Sequence, residues 1–291
     1  MQPETVHNNN STINILKYPT TGVLHLKAYT AFIRTAFLKM LAYRMRYYTG
    51  IFTYLLFVSV YYFIWQAIYS GRAAGASVNG FTLSEMVTYV AAGWIARSFY
   101  HSNIDWEINE LVRSGQISNF LLRPVNLQAV MLSQAIGESA FRLLFFSIPI
   151  SVVIFSLFPA NPPANLTDFF LFFLSTLLGF VVLASINFCI GMLAFSLKSV
   201  RGVIRTKQSL IMLLSGLLLP LPFFPAWLRI ALEWLPFKAI SYVPLQFYLG
   251  KIAAEKVPLT LATQSLWAII MLLLGQYLWH RAIARLTIQG G

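Results

Sequence analysis

Long apolar runs alternate with short polar, mainly basic connections along most of this chain. About 20 consecutive apolar residues suffice for a helix to cross the hydrocarbon of a bilayer. The pattern therefore predicts six membrane-crossing helices near 50–69, 84–100, 131–158, 168–197, 208–224 and 260–280. The third and fourth runs exceed that length, which predicts tilt or emergence from the hydrocarbon. Residues 1–23 are polar and rich in Asn and Thr, without a basic region leading directly into an apolar one, and read as a flexible tail rather than a cleaved signal. Residues 287–291 form a second short tail. The expected fold class is an all-α polytopic membrane protein with one transmembrane domain over 24–286.

Two segments fit neither a span nor a plain loop. In 26–48, Lys27, Arg34, Lys39, Arg44 and Arg46 interrupt Phe32, Ile33, Phe37, Leu38, Leu41 and Tyr48. This predicts an interfacial helix, its aromatics at the acyl boundary and its basic side chains reaching for phosphate; simple anchoring of the first span is the alternative. Between the second and third spans, Ile104, Ile108, Leu111 and Val112 share one helical stripe, while Asp105, Glu107, Glu110 and Arg113 surround it with polar groups. Gly115 can end that helix, and Pro124 restricts Arg123. A short amphipathic helix so placed can dock into another protein and pass force to both spans. A solvated loop is equally compatible with the pattern.

Composition agrees with the membrane class: 58% of residues are apolar and 10% charged, against roughly 45–50% and about 25% in soluble domains. The 21 Lys and Arg against 9 Asp and Glu give a formal charge of +12. With so little of the chain available for a soluble basic face, anionic lipid headgroups are the expected partner and nucleic acid is not. Basic residues concentrate before span one, after span two (Arg113, Arg123), after span four (Lys198, Arg201, Arg205, Lys207) and after span six (Arg281, Arg285), while connections one and three hold only Arg72. That bias predicts cytoplasmic termini, although Arg229, Lys238, Lys251 and Lys256 fall on the opposite side.

Candidate chemistry is sparse. There is no GxxxxGK[ST] phosphate loop. His7, His25, His101 and His280 are widely separated, and Cys189 is the only cysteine, so no catalytic, cofactor or metal residues are expected. Glu138 and Arg142 stand four apart on one helical face and predict an ion pair, structural rather than substrate-binding. Glu85 and Arg97, at opposite ends of the second span, read as interfacial. Small residues at Gly179, Ala184, Gly191 and Ala194 permit close helix packing, within the chain or against another subunit.

Ahead of the last span, Pro220, Pro222 and Pro225 break a continuous helix, and Pro236 and Pro244 divide the remaining stretch before that span into short pieces. Trp227 and Trp234 suit headgroup depth. The run Glu110 to Pro124 (ELVRSGQISNFLLRP), followed by a long span, and the run Ser215 to Trp227 (SGLLLPLPFFPAW), continuing through Glu233 to Phe237 and Tyr242 to Pro244, resemble the ABC-2 type permeases, the six-helix membrane subunits of ATP-binding cassette exporters. The likeness extends over about 24–286. It implies a coupling helix carrying Asp105, Glu107, Glu110, Arg113 and Gly115, supported nearby by Arg123, Pro124, Glu138 and Arg142. It also implies short outer half-helices, with Pro222, Pro225, Trp227 and Pro236 in an outer gate. The implied partners are two cytoplasmic ATPase subunits, which would hold ATP and Mg2+, and a second permease subunit, identical or homologous, in a bacterial inner membrane. The implied cargo is hydrophobic or amphipathic, such as a lipid, drug or peptide. A membrane scaffold without transport is the alternative.

Overall fold

The computed structural model describes residues 22–43, 45–73, 75–123, 125–197 and 199–284. These form helices in the order α1 (Gly22–Ala42), α2 (Met45–Tyr69), α3 (Leu83–Tyr100), α4 (Ile104–Arg113), α5 (Ser118–Leu121), α6 (Leu127–Arg142), α7 (Ile148–Leu157), α8 (Leu166–Gly191), α9 (Arg201–Leu214), α10 (Ala226–Glu233), α11 (Tyr242–Tyr248) and α12 (Val257–Ala284). Among the described residues there is no strand, only an isolated bridge between Val78 and Phe81. The expected tails lie outside the described residues, except that Gly22 and Val23 already belong to α1. Arg44, Pro124, Lys198 and Arg285 also lie outside them.

Among the described residues, four helical stretches are long and apolar enough to cross a membrane: Gly50–Tyr69, Leu127–Leu157, Leu166–Phe195 and Ala254–Ala284. Their outward faces stay apolar, with Phe52, Phe63, Phe170, Leu259, Ile269 and Leu273 all exposed, as expected of helices solvated by lipid. The second stretch is α6 and α7 joined by a π-helical turn over Leu143–Ser147. Pro149 lacks the N–H that would close the regular ladder, and the wider turn just before it absorbs the mismatch.

The remaining two expected spans differ from the lipid-facing four. Helix α3 is buried along most of its length, from Met86 to Tyr100, and its start is fixed by a capping box in which Thr82 and Glu85 satisfy each other's backbone N–H groups. Helix α9 corrects the expected 208–224 span: it ends at Leu214. Gly216 follows at φ +84°, where any Cβ would lie 2.9 Å from that of Tyr242, and the Tyr89 hydroxyl donates to its carbonyl. After this turn Pro220 and Pro222 permit only a short 3-10 segment, Leu221–Phe223.

Helix α1 also departs from expectation, ending at Ala42 rather than near 48. It packs along α6, with Phe37 edge-on to Phe141 at 5.9 Å. Gly137 allows this approach, since a Cβ there would stand 2.2 Å from the Ile33 carbonyl oxygen. The small residues on α8 likewise serve internal packing: Gly179 faces the Ala239 and Ile240 carbonyls, and Gly191 faces Ile108.

The bundle has two distinguishable ends. At one, Lys251 pairs with Glu85 at 2.8 Å, donates to the Gly80 carbonyl and lies 4.5 Å above the Phe81 ring. At the other, α4 packs against α8, the 3-10 turn that follows it, and α9.

Candidate functional site

Helix α4 has the sharpest division of apolar and polar positions suited to docking. Ile104 and Ile108 are fully buried against α8, each contributing about 1.5–3 kcal/mol of apolar burial. The close approach depends on Gly191, where a Cβ would meet Ile108 Cδ1 at 2.8 Å. Gly115, at φ +73°, turns the chain back beyond the helix end, and Ile117 is buried where the chain returns.

Glu110, Arg113 and Gly115 are exposed on the outer face, as is Arg123. Asp105 is not, which corrects the expectation of a uniformly exposed polar face. It is completely buried, and its Oδ2 accepts from Lys207 Nζ at 2.6 Å. The same ammonium donates to Asn187 Oδ1 at 2.6 Å, and Asn187 Nδ2 donates to both the carbonyl and the hydroxyl of Ser102 at 2.9 Å. A chain of charge-assisted hydrogen bonds thus fastens the start of α4 to α8 and α9. Burial of Asp105 is tolerable because one oxygen faces the ammonium and the other accepts the Trp106 N–H.

Glu107 is half-buried on the adjoining side, where it shares a narrow recess with Ser102, Ile104, Ala135 and Glu138. Burial, reinforced by the Glu138 carboxylate, pushes its pKa up to about 7, while Lys39 and Arg142 pull the other way and Asp105 adds to the rise. Glu138 pairs with Arg142 at 3.3 Å. Arg142 also donates to the His101 carbonyl and the Ser139 hydroxyl, so it ties the end of α6 to the linker just before α4. Burial, and then the nearby cations Arg97, Arg142 and Lys207, hold the His101 imidazole down at about 3, which keeps it neutral near pH 7.

Lys207, Asn187, Ser102 and His101 were not singled out by their sequence context. Lys207 reads there as one of several positive residues in a connection, and its partner Asp105 is 102 positions away. The one available signal is the spacing of Lys207 from apolar Ile204 and Ile211, three residues after one and four before the other, which puts all three on one helical face.

Pro222, Pro225, Trp227 and Pro236 do not form a single cluster of like environment. Pro222 is half-buried, Pro225 precedes α10 and is exposed, Trp227 is 70% exposed, and Pro236 is buried at the start of a 3-10 turn. Phe223 in the same segment packs on Trp65 and Phe81, which places this stretch at the Lys251 end.

Among the described residues there is no group of three or more His, Cys, Asp or Glu side chains able to hold a metal ion. The decisive comparison is with family models: residues 55–290 match the ABC-2 family transporter protein. The chain belongs to that family. The match includes α4, α8 and α9 and the broken segment after them, so the Asp105–Lys207–Asn187 network lies wholly within it. A search of curated proteins found no match. As an ABC-2 family member the chain is a membrane component of a transporter and not itself the catalyst, and the family generally associates with ATP-binding cassette subunits.

Proposed function

We propose that this chain is the permease subunit of an ATP-driven exporter, with α4 as the helix that receives motion from the ATPase. One observation carries the reading: α4 presents Glu110 and Arg113 outward while Asp105, Ile104 and Ile108 bind it firmly to α8 and α9. A lever must grip a partner on one face and its own load on the other, and α4 has both faces. Two cytoplasmic ATPase subunits would hold ATP and Mg2+, and their closure would push α4 and tilt α8 and α9 through the Asp105–Lys207–Asn187 chain. A second permease, identical or homologous, would supply the other half of the pathway, with Pro222, Pro225, Trp227 and Pro236 near its outer mouth. On this reading the α4 end and both termini face the cytoplasm of a bacterial inner membrane, in keeping with the basic residues Arg113, Arg123, Arg201 and Arg205 at that end. Helix α1 would lie at the same interface. The cargo is hydrophobic or amphipathic.

Reconstitution of the complete transporter in lipid vesicles tests this reading. A Glu110→Lys/Arg113→Glu variant, reversing the two charges exposed on the outer face, is expected to assemble yet lose most substrate stimulation of ATP hydrolysis. Unchanged coupling in a well-assembled double variant would remove this face of α4 from the mechanism.

A further inference from the structure

The broken segment before α12 enters the bundle from the Lys251 end and returns to it. Phe223 packs on Trp65 and Phe81 at that end. Further on, the Ser241 hydroxyl lies 2.8 Å from that of Tyr100, the last residue of α3 before the α4 end. The chain then climbs back through α11, where the Tyr248 hydroxyl donates to the carbonyl of Asn161, a residue whose side chain reaches Ser84 beside Glu85.

Two neighbouring helices fix the depth of the lowest part. The Ala239 and Ile240 carbonyls face Gly179, which comes 13 residues after Leu166 and so lies about 20 Å along α8. Gln264, within α12, donates to the Ala239 carbonyl at 2.7 Å and to that of Ser175 at 2.8 Å. Exposed apolar side chains bracket this level, with Phe170 and Phe173 before it on α8 and Leu266 and Ile269 beyond Gln264 on α12. The turn therefore sits inside the hydrocarbon layer, which is about 30 Å thick.

Charged groups are exposed at that depth. Lys238 immediately precedes Ala239 and pairs with Glu233, whose side chain is still 53% exposed. Arg229, one helical turn earlier on α10, is exposed on the same face. Lipid, protein or water must cover these groups. Hydrocarbon against a charged side chain is costly, and charges at membrane depth face protein or a water-filled cavity. Arg229 makes no ion pair among the described residues, so a protein cover would bury an uncompensated charge. Water solvates it without that cost.

We infer that Arg229, Glu233 and Lys238 line a water-filled cavity within the membrane, at the level of Gly179. Trp227, Ile230 and Trp234 expose an adjoining apolar stripe on α10, so a polar and an apolar wall meet along one helix. That the polar part of an amphipathic cargo passes through this water rests on the export reading above; the presence of the water does not.

The test uses the full chain in the membranes of the cells that express it, with Cys189→Ala removing its only cysteine. Single cysteines are introduced by Arg229→Cys and Glu233→Cys and, at a matching level on lipid-facing surfaces, by Leu177→Cys on α8 and Leu266→Cys on α12. Open membrane fragments are treated with methanethiosulfonate ethyltrimethylammonium, a charged reagent that attacks the thiolate, and the remaining thiols are counted after denaturation. Because a thiolate forms in water and not in hydrocarbon, positions 229 and 233 should react at least about tenfold faster than 177 and 266. Arg229→Cys removes no ion pair and decides the matter if Glu233→Cys, which strands Lys238, does not fold. Rates no faster than at 177 and 266 would overturn the inference. So would slow modification in membranes that detergent makes fast, since lipid or a neighbouring subunit would then cover the face. The reagent reaches both sides and no ATPase takes part, so failure here leaves the coupling role of α4 standing, and failure of coupling leaves the cavity standing.

Discussion

At the residue scale the buried pair Asp105–Lys207 is the sharpest feature, because each charge is tolerated only through the other. Asp105→Asn leaves the Lys207 ammonium, with a side chain only 10% exposed, without its counter-charge. The expected cost is about 3–5 kcal/mol, seen as a lower thermal midpoint of the purified chain in detergent. Asp105→Asn combined with Lys207→Met should cost less than Asp105→Asn alone, since the stranded charge is gone; an equal or larger loss would show that the pair is not the source of the stability. Glu107 gives a pH signature. Its folded pKa of about 7 lies above its ordinary 4.5, so the folded state takes up a proton that the unfolded state has lost. Its contribution is fully present below about pH 4.5, declines as pH rises, and is gone above about 7. Glu107→Gln should flatten that part of the thermal midpoint's pH dependence, and an unchanged slope would contradict the buried, Glu138-opposed environment.

At the element scale, legibility in the sequence depends on whether the deciding contact is local. Helix α4 and its stop at Gly115 are legible because both arise from neighbouring residues: an apolar stripe with a three-to-four spacing and a residue free to adopt positive φ. The Glu138–Arg142 geometry is legible for the same reason. The burial of Asp105 is not, because a charged residue beside an apolar stripe reads as solvent-facing until Lys207 and Asn187 arrive from elsewhere in the chain. The early end of α9 is obscured by apolar residues continuing through Leu219, although Gly216 and Pro220 mark the turn once its contact with Tyr89 is known. The crossing of α1 and α6 is equally hidden, since nothing near Gly137 announces that Ile33 will touch it. Gly137→Ala should therefore force α1 away from α6 and lower stability by about 1–3 kcal/mol. Gly202→Ala on the exposed start of α9, where an added Cβ meets nothing within 4 Å, should leave the thermal midpoint nearly unchanged. Similar behaviour of the two variants would contradict the tight crossing.

At the scale of the whole molecule, four lipid-facing stretches surround the more buried α3 and the broken segment from Ser215 to Gly250, and the two ends of the bundle carry different chemistry. Lys251, Glu85 and Gly80 fasten one end. The other end concentrates α4, its buried ion pair and the outward-facing Glu110 and Arg113. This asymmetry, within a chain of the ABC-2 family, is the basis for assigning α4 to the ATPase. The central claim is tested most directly by a photo-crosslinking amino acid placed singly at Ser114, next to the end of α4, or at Pro162, in the connection at the Lys251 end, in the intact transporter in membranes. The account predicts an adduct with an ATP-binding cassette subunit from position 114, changing in yield when ATP is added, and none from position 162. An ATPase adduct from 162 and none from 114 would contradict it.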